Sequence, residues 1–397
     1  MKRLFLLNMI LTGLFMSGLS FGQKVTPQQN NGKYYFQVAN VYFEIDPSYG
    51  GRISSLKVDD KEILYVSRDF DYLWGSTFWQ SPQSEWVWPP STSLDQGPYT
   101  GGIYGDSVSL LSSVDDTYNT HLKFRKTFSA DLSDSSVTIV YYMINTGTTA
   151  HSYSPWEITR VPSGGMAFFP FGSGSIAGDT AAFHLGKING IVWFKYQGTE
   201  PPEKKFNSDG SEGWSAWINS DDVLFVKKFK DVPPGMNAPG ENEIELYYED
   251  SIAYIELENQ GKYTSIQGGD SLRWVMKWYL RNLPTSIHAE VGDTNLVAYV
   301  RNIINHNDTT STSNAILSVN KNIILVYPSP ANDLIKITGL TQPSGCTIFD
   351  LSGKIMLEKT VGRGENTIEV SGLKEGFYLY HIDSPNFNYT GKIVIQR

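Results

Sequence analysis

The sequence predicts an all-β protein, a large β-sandwich followed by a small immunoglobulin-like one. Three observations carry this. Apolar residues alternate with period two over most of the chain, and the 3.6-residue repeat of an amphipathic helix is confined to the stretch after Pro284. The composition, with 10 Trp, 23 Tyr, 20 Phe and 36 Gly, suits pleated sheets joined by tight turns. The β-rich body of about residues 34–304 is too long for one immunoglobulin-like domain.

The elements follow in chain order. Lys2 and Arg3 precede a 13-residue apolar run, Leu4 to Met16, too short to span a bilayer. With Ser20 and Gly22 at a small-residue cleavage site, residues 1–22 read as a signal peptide removed before Gln23. Residues 23–33 are a polar, mobile lead-in. Expected strands are Tyr34–Val38, Val41–Ile45, Arg52–Val58, Lys61–Tyr65, His121–Phe128, Ser136–Asn145, Ile191–Tyr196, Val223–Lys228, Glu243–Tyr248, Ala253–Asn259 and Leu272–Leu280, with a helix over Thr285–Ile304. Residues 305–320 are rich in Ser, Thr and Asn and read as a linker to a second β-unit, 321–397.

Charge and cysteine content narrow the function. The formal charge is −9, and losing Lys2 and Arg3 with the leader takes it to about −11. No basic stretch could track a phosphate backbone, so nucleic-acid binding is disfavoured. The single cysteine, Cys346, permits no internal disulfide and no cysteine-based metal site. The histidines, at 121, 151, 184, 288, 306 and 381, show no metal spacing. Serine-hydrolase elbow, zinc-protease and P-loop motifs are missing from the sequence. Beyond the leader, no stretch is long and apolar enough for a transmembrane helix.

Four segments of the body carry candidate chemistry. In Phe43 to Leu56, Gly50-Gly51 allows a tight reversal and Arg52 follows at a strand start. Phe78 to Pro90 holds Trp79, Trp86 and Trp88 with three prolines, which argues for an ordered loop rather than a central strand. Indole faces stack on the C–H faces of a pyranose, and Gln80, Gln83 and Glu85 can bond its hydroxyls; the alternative is that the loop caps the core. The third segment runs from Asn145-Thr146-Gly147 through His151 to Trp156, Glu157 and Arg160. On a strand Glu157 and Arg160 face opposite ways. In the fourth, Tyr254, Glu256 and Glu258 share one strand face, with the carboxylates roughly 7 Å apart. That crowding would raise one pKa, as a general base needs; the pair would equally suit a solvated face or a calcium site completed by other oxygens.

These segments, together with Gly268-Gly269-Asp270 and Trp274 to Trp278, resemble the galactose-mutarotase-like superfamily, in particular one of its uncharacterised bacterial families, over most of 34–283. The resemblance implies a supersandwich fold, a sugar-facing arginine near Arg52, and a catalytic glutamate on the late strand that carries Glu256 and Glu258. A proton-donating histidine is also implied, but His151 lies earlier than that residue would and Trp156-Glu157 occupies its neighbourhood, which weighs against ring-opening chemistry. The tail resembles the type IX sorting domain of Bacteroidetes through Val326-Tyr327-Pro328-Ser329-Pro330-Ala331-Asn332-Asp333, Ile348-Phe349-Asp350-Leu351-Ser352-Gly353-Lys354, Leu373-Lys374-Glu375-Gly376-Phe377-Tyr378 and Gly391 to Arg397. That resemblance implies export to the periplasm, passage through the type IX machinery by way of residues 321–397, and secretion or anchoring at the cell surface.

The resulting expectation is a carbohydrate-binding protein with sugar-contacting Arg52, Trp79, Gln83, Glu85, Trp86, Trp88, Trp156, Glu157, Arg160 and Tyr254, and with no cofactor unless a calcium ion. One alternative is a carbohydrate-active enzyme on the same fold, an aldose epimerase, lyase or hydrolase, with Glu258, Glu256 and His151 as catalytic groups. A structural or adhesin protein is a further alternative. Fold alone does not choose among them.

Overall fold

The computed structural model describes residues 24–305 and 325–397, apart from 70–71, 116, 119, 181–182, 184, 199–203, 250–253, 328–330, 341, 351–352 and 385–386. The leader, its cleavage site, the linker and the Pro328–Pro330 segment therefore lie outside the described residues. The chain divides into two compact units, 1–310 and 311–397.

Among the described residues, the body is two antiparallel sheets, one of twelve strands and one of eleven. Six strands of the larger sheet position the site: β1 (Arg52–Val58), β2 (Ser76–Ser81), β3 (His151–Pro162), β4 (Lys204–Ser208), β5 (Ile244–Glu249) and β6 (Tyr254–Gln260). Their order across the sheet is β4-β5-β6-β3-β2-β1. The two sheets bury aromatic rings against each other. Phe78 of the larger sheet stacks on Tyr141 of the smaller at 4.2 Å, and Phe43 meets Trp278 edge-on at 5.9 Å. Such pairs add to ordinary area burial because ring edges and faces carry opposite partial charge.

The outer faces of the two sheets differ in kind. The helix α1 (Thr294–Asn305) buries Leu296, Val297, Val300 and Ile303. This stripe joins a cluster with Phe168, Trp193, Trp214 and Tyr279 of the smaller sheet. The outer face of the larger sheet instead carries tryptophans, arginines and glutamates, and its small aromatic cluster of Trp79, Trp86, Trp156 and Ile158 stands apart from the main core.

Four expectations are corrected in detail. The lead-in expected to be mobile is built into both sheets: Lys24–Val25 pairs with Ala130–Asp131, and Gln28–Asn30 pairs with Lys33–Tyr35. The helix begins at Thr294, not near Thr285, because Gly292 is left-handed at φ 85° and the Asp293 side chain caps the N–H groups of Asn295 and Leu296. The strand expected over Lys61–Tyr65 is only Lys61–Glu62. The Ile63 N–H still reaches the Leu56 carbonyl of β1 at 3.0 Å, but the Glu62 carboxylate takes the Leu64 N–H, and the ladder goes no further. The Phe78–Pro90 segment is not all loop. Phe78 to Ser81 complete the central strand β2, since the first proline comes only at position 82.

Glycine is required where β1 begins. A Cβ on Gly50 would lie 2.0 Å from the Asp95 carbonyl oxygen, and both Gly50 and Gly51 have positive φ.

The tail has its own core and two sheets, of three and four strands. Ile335, Ile337, Ile348, Ile368, Ile382 and Ile393 are buried at its centre. Asp350 and Lys354 close the expected turn through backbone bonds, with Gly353 at φ 86°. Cys346 is buried, as a small strand residue, and burial pushes its thiol up to about 11.

Candidate functional site

Alternation on β2, β3 and β6 decides which side chains reach the outer face of the larger sheet. Trp79 on β2, Trp156 and Arg160 on β3, and Glu256 and Glu258 on β6 all do. Register brings them together: Trp156 pairs with Trp79 across β2–β3, and Arg160 with Glu256 across β3–β6. The segment after β2 adds Trp86 and Trp88. Ring centroids of Trp79 lie 5.9 Å from Trp86, 5.6 Å from Trp88 and 5.4 Å from Trp156, each edge to face.

The charged groups are woven through these rings. Arg160 Nη2 lies 2.7 Å from Glu256 Oε1, with the guanidinium 5.6 Å from the Trp79 ring and 5.7 Å from that of Tyr254. Trp156 Nε1 donates to Glu258 Oε2 at 2.7 Å. Lys205 on β4 pairs with Glu245 on β5, lies 3.8 Å from Glu258 and sits 5.1 Å from the Trp156 ring. Gln260 bridges Ser81, Glu241 and Glu245.

Burial separates the interior of this site from its mouth. Arg52 and Arg160 are fully enclosed, and Trp79, Trp86, Trp156, Tyr254, Glu256 and Glu258 are all buried. Trp88 is 44% exposed and its neighbour Val87 71%. The Tyr118 hydroxyl, 2.7 Å from the Val87 carbonyl and 2.9 Å from that of Pro89, shares its one proton between the two and so fixes the backbone on either side of Trp88. Half-buried Lys205, Tyr72 and Tyr247 complete the accessible rim.

Burial, more than crowding, tunes the carboxylates. It raises Glu258 to about 7, opposed by Lys205 and reinforced by Glu256. Glu245 is raised for the same first reason, again against Lys205 and with the help of Glu258 and Glu241. For Lys205, burial would lower the pKa, but Glu258 and Glu245 hold it above the ordinary value. A raised carboxyl stabilises the fold while protonated and loses that contribution as pH climbs through its folded pKa. The parent protein is therefore expected to lose stability relative to Glu258→Gln between pH 5 and pH 8, by on the order of 2 kcal/mol in chemical denaturation. Parallel pH profiles for the two would show that Glu258 is not the group that titrates.

The placement departs from expectation for several residues. Arg52 cannot face a sugar directly. Its guanidinium donates to the carbonyls of Tyr72 and Trp74 and to Asp95, and it lies between the Tyr49 and Trp74 rings. Trp79, Trp86 and Trp156 spend their ring surface on one another, which leaves Trp88 as the indole open to a ligand. Glu157 points the opposite way from Arg160, into the sandwich, where Lys227 Nζ lies 2.7 Å from it. His151 starts β3 on the Glu157 side of the alternation, about 16 Å along the strand from Trp156, and its Nε2 is 3.1 Å from Thr149 Oγ1. Gln83 and Glu85 form a short helical turn. The Gln83 N–H is held by Glu241, and Glu85 is exposed beside the aromatic cluster. Glu256 and Glu258 are engaged by Arg160, and by Trp156 and Lys205, partners that a calcium ion would have to displace.

Sequence reasoning missed Asp95, Lys205, Glu245 and Gln260. Asp95 holds Arg52 at 2.8 Å and accepts from Trp79 Nε1 and Thr77. Glu245 was open to inference, since a β5–β6 hairpin sets it directly opposite Glu258. Asp95 and Lys205 lie in segments with no signal.

Comparison with known proteins bears on both units. Residues 325–396 match the family model described as the secretion system C-terminal sorting domain. The tail thus implies an exported protein, secreted or held at the cell surface. None of the curated proteins matches the chain. Among solved structures, it is similar to a galactose mutarotase-like protein from Clostridium acetobutylicum, at 12% identity over 66% of this chain and 99% of that one, TM-score 0.43. It is also similar to a galactose mutarotase-like protein from Lactobacillus casei, at 11% identity over 63% and 100%, TM-score 0.44. A galactose mutarotase related enzyme from Lactobacillus acidophilus aligns at 7% identity over 65% and 100%, TM-score 0.46.

Proposed function

We propose that the body is a carbohydrate-binding domain, delivered outside the cell by the tail, and that its ligand lies on the outer face of the larger sheet. The observation that carries the proposal is the contrast between the two outer faces. One is covered by apolar helix packing, whereas the other gathers four tryptophans around ion-paired arginine, lysine and glutamate, with the Trp88 ring open at the mouth. A pyranose offers an apolar C–H face and a hydroxyl rim, which such a surface complements. Binding is favoured over catalysis by the state of Glu258: its Oε2 is occupied by Trp156 and covered by Lys205, so a proton-transfer role would require both to move. A glycan array followed by calorimetry on the secreted protein tests the reading. Saturable binding that weakens in Trp88→Ala is the expected result; an array with no binder removes the proposal.

We further propose that residues 1–22 are cleaved before Gln23 and that the tail acts as a separable sorting unit. Deleting residues 311–397 should leave a folded body in the periplasm, with its glycan binding intact. Loss of the folded body on deletion would instead make the tail a structural partner.

A further inference from the structure

The packing of α1 on the smaller sheet ends at Phe168, Trp193, Trp214 and Tyr279. Toward the other edge of that sheet, the strands Ser271–Asn282, Ser136–Asn145, Leu122–Asp131 and Ser107–Leu111 lie side by side. Trp274 and Met276, Ile139 and Tyr141, and Phe124 and Phe128 point into the core. Alternation therefore turns Lys123, Arg125, Tyr142, Arg273 and Lys277 outward. All five reach the surface: Arg273 is exposed and the other four are half-buried.

Register gathers these charges into a pattern that no single segment displays. Arg125 pairs with Tyr142, and Tyr142 with Arg273, so the two arginines stand about 10 Å apart across two strand spacings. Lys123 occupies the next row, opposite Ile144, which in turn faces Ser271. Leu111 lies on the far side of Arg125. None of these cross-strand neighbours is acidic. Lys277, two rows from Arg273, is instead paired with Asp134. In a chain of net charge −9, a face with three cations and no acidic cross-strand neighbour is an exception.

The side chains around the arginines narrow what fits. The Arg125 guanidinium lies 4.0 Å from the centre of the Tyr142 ring. Stacking restrains the guanidinium without using its N–H donors, and a planar carboxylate with two oxygens matches that fork. Beside the arginine row, Thr127 pairs with Ser109, their hydroxyl oxygens 3.2 Å apart, and Ser129 pairs with Thr138 in the row beyond. These residues are half-buried and offer hydroxyl partners. Leu111, Val140, Ile144 and Val275 are half-buried as well, so no bulky apolar group stands out to enter a bilayer. A flat, hydroxyl-lined face with spaced arginines suits a hydroxylated polymer carrying repeated carboxylates better than a lipid surface or a continuous phosphate backbone.

We infer that this face binds an acidic polysaccharide built from uronate units, with Arg125 and Arg273 each bonding a carboxylate of the chain. It lies on the other sheet from the tryptophan cluster and does not rest on the reading of that cluster. The test presents polygalacturonate, dextran sulfate, duplex DNA and phosphatidylglycerol vesicles in turn to the full-length protein and measures Kd by biolayer interferometry. Polygalacturonate should bind saturably, and less tightly as salt is raised. Arg125→Gln combined with Arg273→Gln should weaken it by about tenfold, the worth of two exposed charge pairs, with the unfolding temperature unchanged. Trp88→Ala should leave it unchanged. Failure to bind polygalacturonate overturns the site, and so does undiminished binding in the folded double variant. Binding lost in Trp88→Ala but kept in the double variant would move the polymer to the tryptophan face and overturn this one. Dextran sulfate bound as tightly as polygalacturonate overturns the assignment to carboxylates, and tighter binding of DNA or of the vesicles overturns the polysaccharide. Should the double variant fail to fold, Arg273→Gln alone, at an exposed position, should weaken binding by about threefold, and no change there overturns the proposal.

Discussion

Trp79→Ala is expected to destabilise the body by about 3–5 kcal/mol, the range for emptying a large aromatic site in a packed interior. Trp88→Ala should change stability much less and lower glycan affinity by about 1–3 kcal/mol, by analogy with base stacking on exposed aromatic rings. The difference follows from position. Trp79 is 3% exposed, touches three other indoles, donates to Asp95 Oδ1 at 2.8 Å and lies beside the Arg160 guanidinium. Its loss opens a cavity and removes one of the two side-chain donors to Oδ1 of an aspartate that also anchors Arg52, leaving Thr77 as the other. Trp88 makes ring contacts with Tyr72, Trp79 and Trp86, yet nearly half of it faces solvent. Denaturant unfolding and calorimetry with a bound glycan separate the two effects. If Trp88→Ala proves as destabilising as Trp79→Ala, the ring is a core residue and the mouth of the site lies elsewhere.

Much of the architecture was legible because it depends on local alternation. The strands Arg52–Val58, Ser136–Asn145 and Val223–Lys228 have the bounds that the pattern of apolar residues predicts. So does the sharing of one face by Tyr254, Glu256 and Glu258, since a strand has no other way to place residues two apart. The tail was legible for another reason: its four motifs occur in order, and the family match spans 325–396. What alternation could not supply was depth. Arg52 and Trp88 look equally available in the sequence, yet one is sealed by the Tyr72 and Trp74 carbonyls and the other is open. Depth depends on which loops fold over the sheet, and the loop holding Asp95 carries no pattern that announces it. Lys205 was hidden likewise, because strand order places β4 two strands from β6, and long-range order is not written in any one segment.

Glu157 provides the second large effect, and it separates a structural carboxylate from a ligand-binding one. Glu157 of β3 and Lys227 of the smaller sheet form an ion pair across the sandwich interior, with both side chains almost fully buried. Burial lowers the Lys227 pKa, and Glu157 opposes that shift. Three further groups satisfy the pair: Ser76 donates to Glu157 Oε1 at 2.6 Å, Thr159 does so as well, and Lys227 also donates to the Leu257 carbonyl at 2.6 Å. Removing one partner leaves an uncompensated charge where water cannot reach, so Lys227→Ala is expected to cost about 3–5 kcal/mol. The double replacement Glu157→Leu with Lys227→Met removes both charges at similar volume, and its cost should be far smaller than that of the single variant. A double-mutant cycle in chemical denaturation measures the difference. Glycan affinity of the folded double variant should match that of the parent, because Glu157 and Arg160 leave β3 on opposite faces. Weakened binding in a stably folded double variant would return Glu157 to the site.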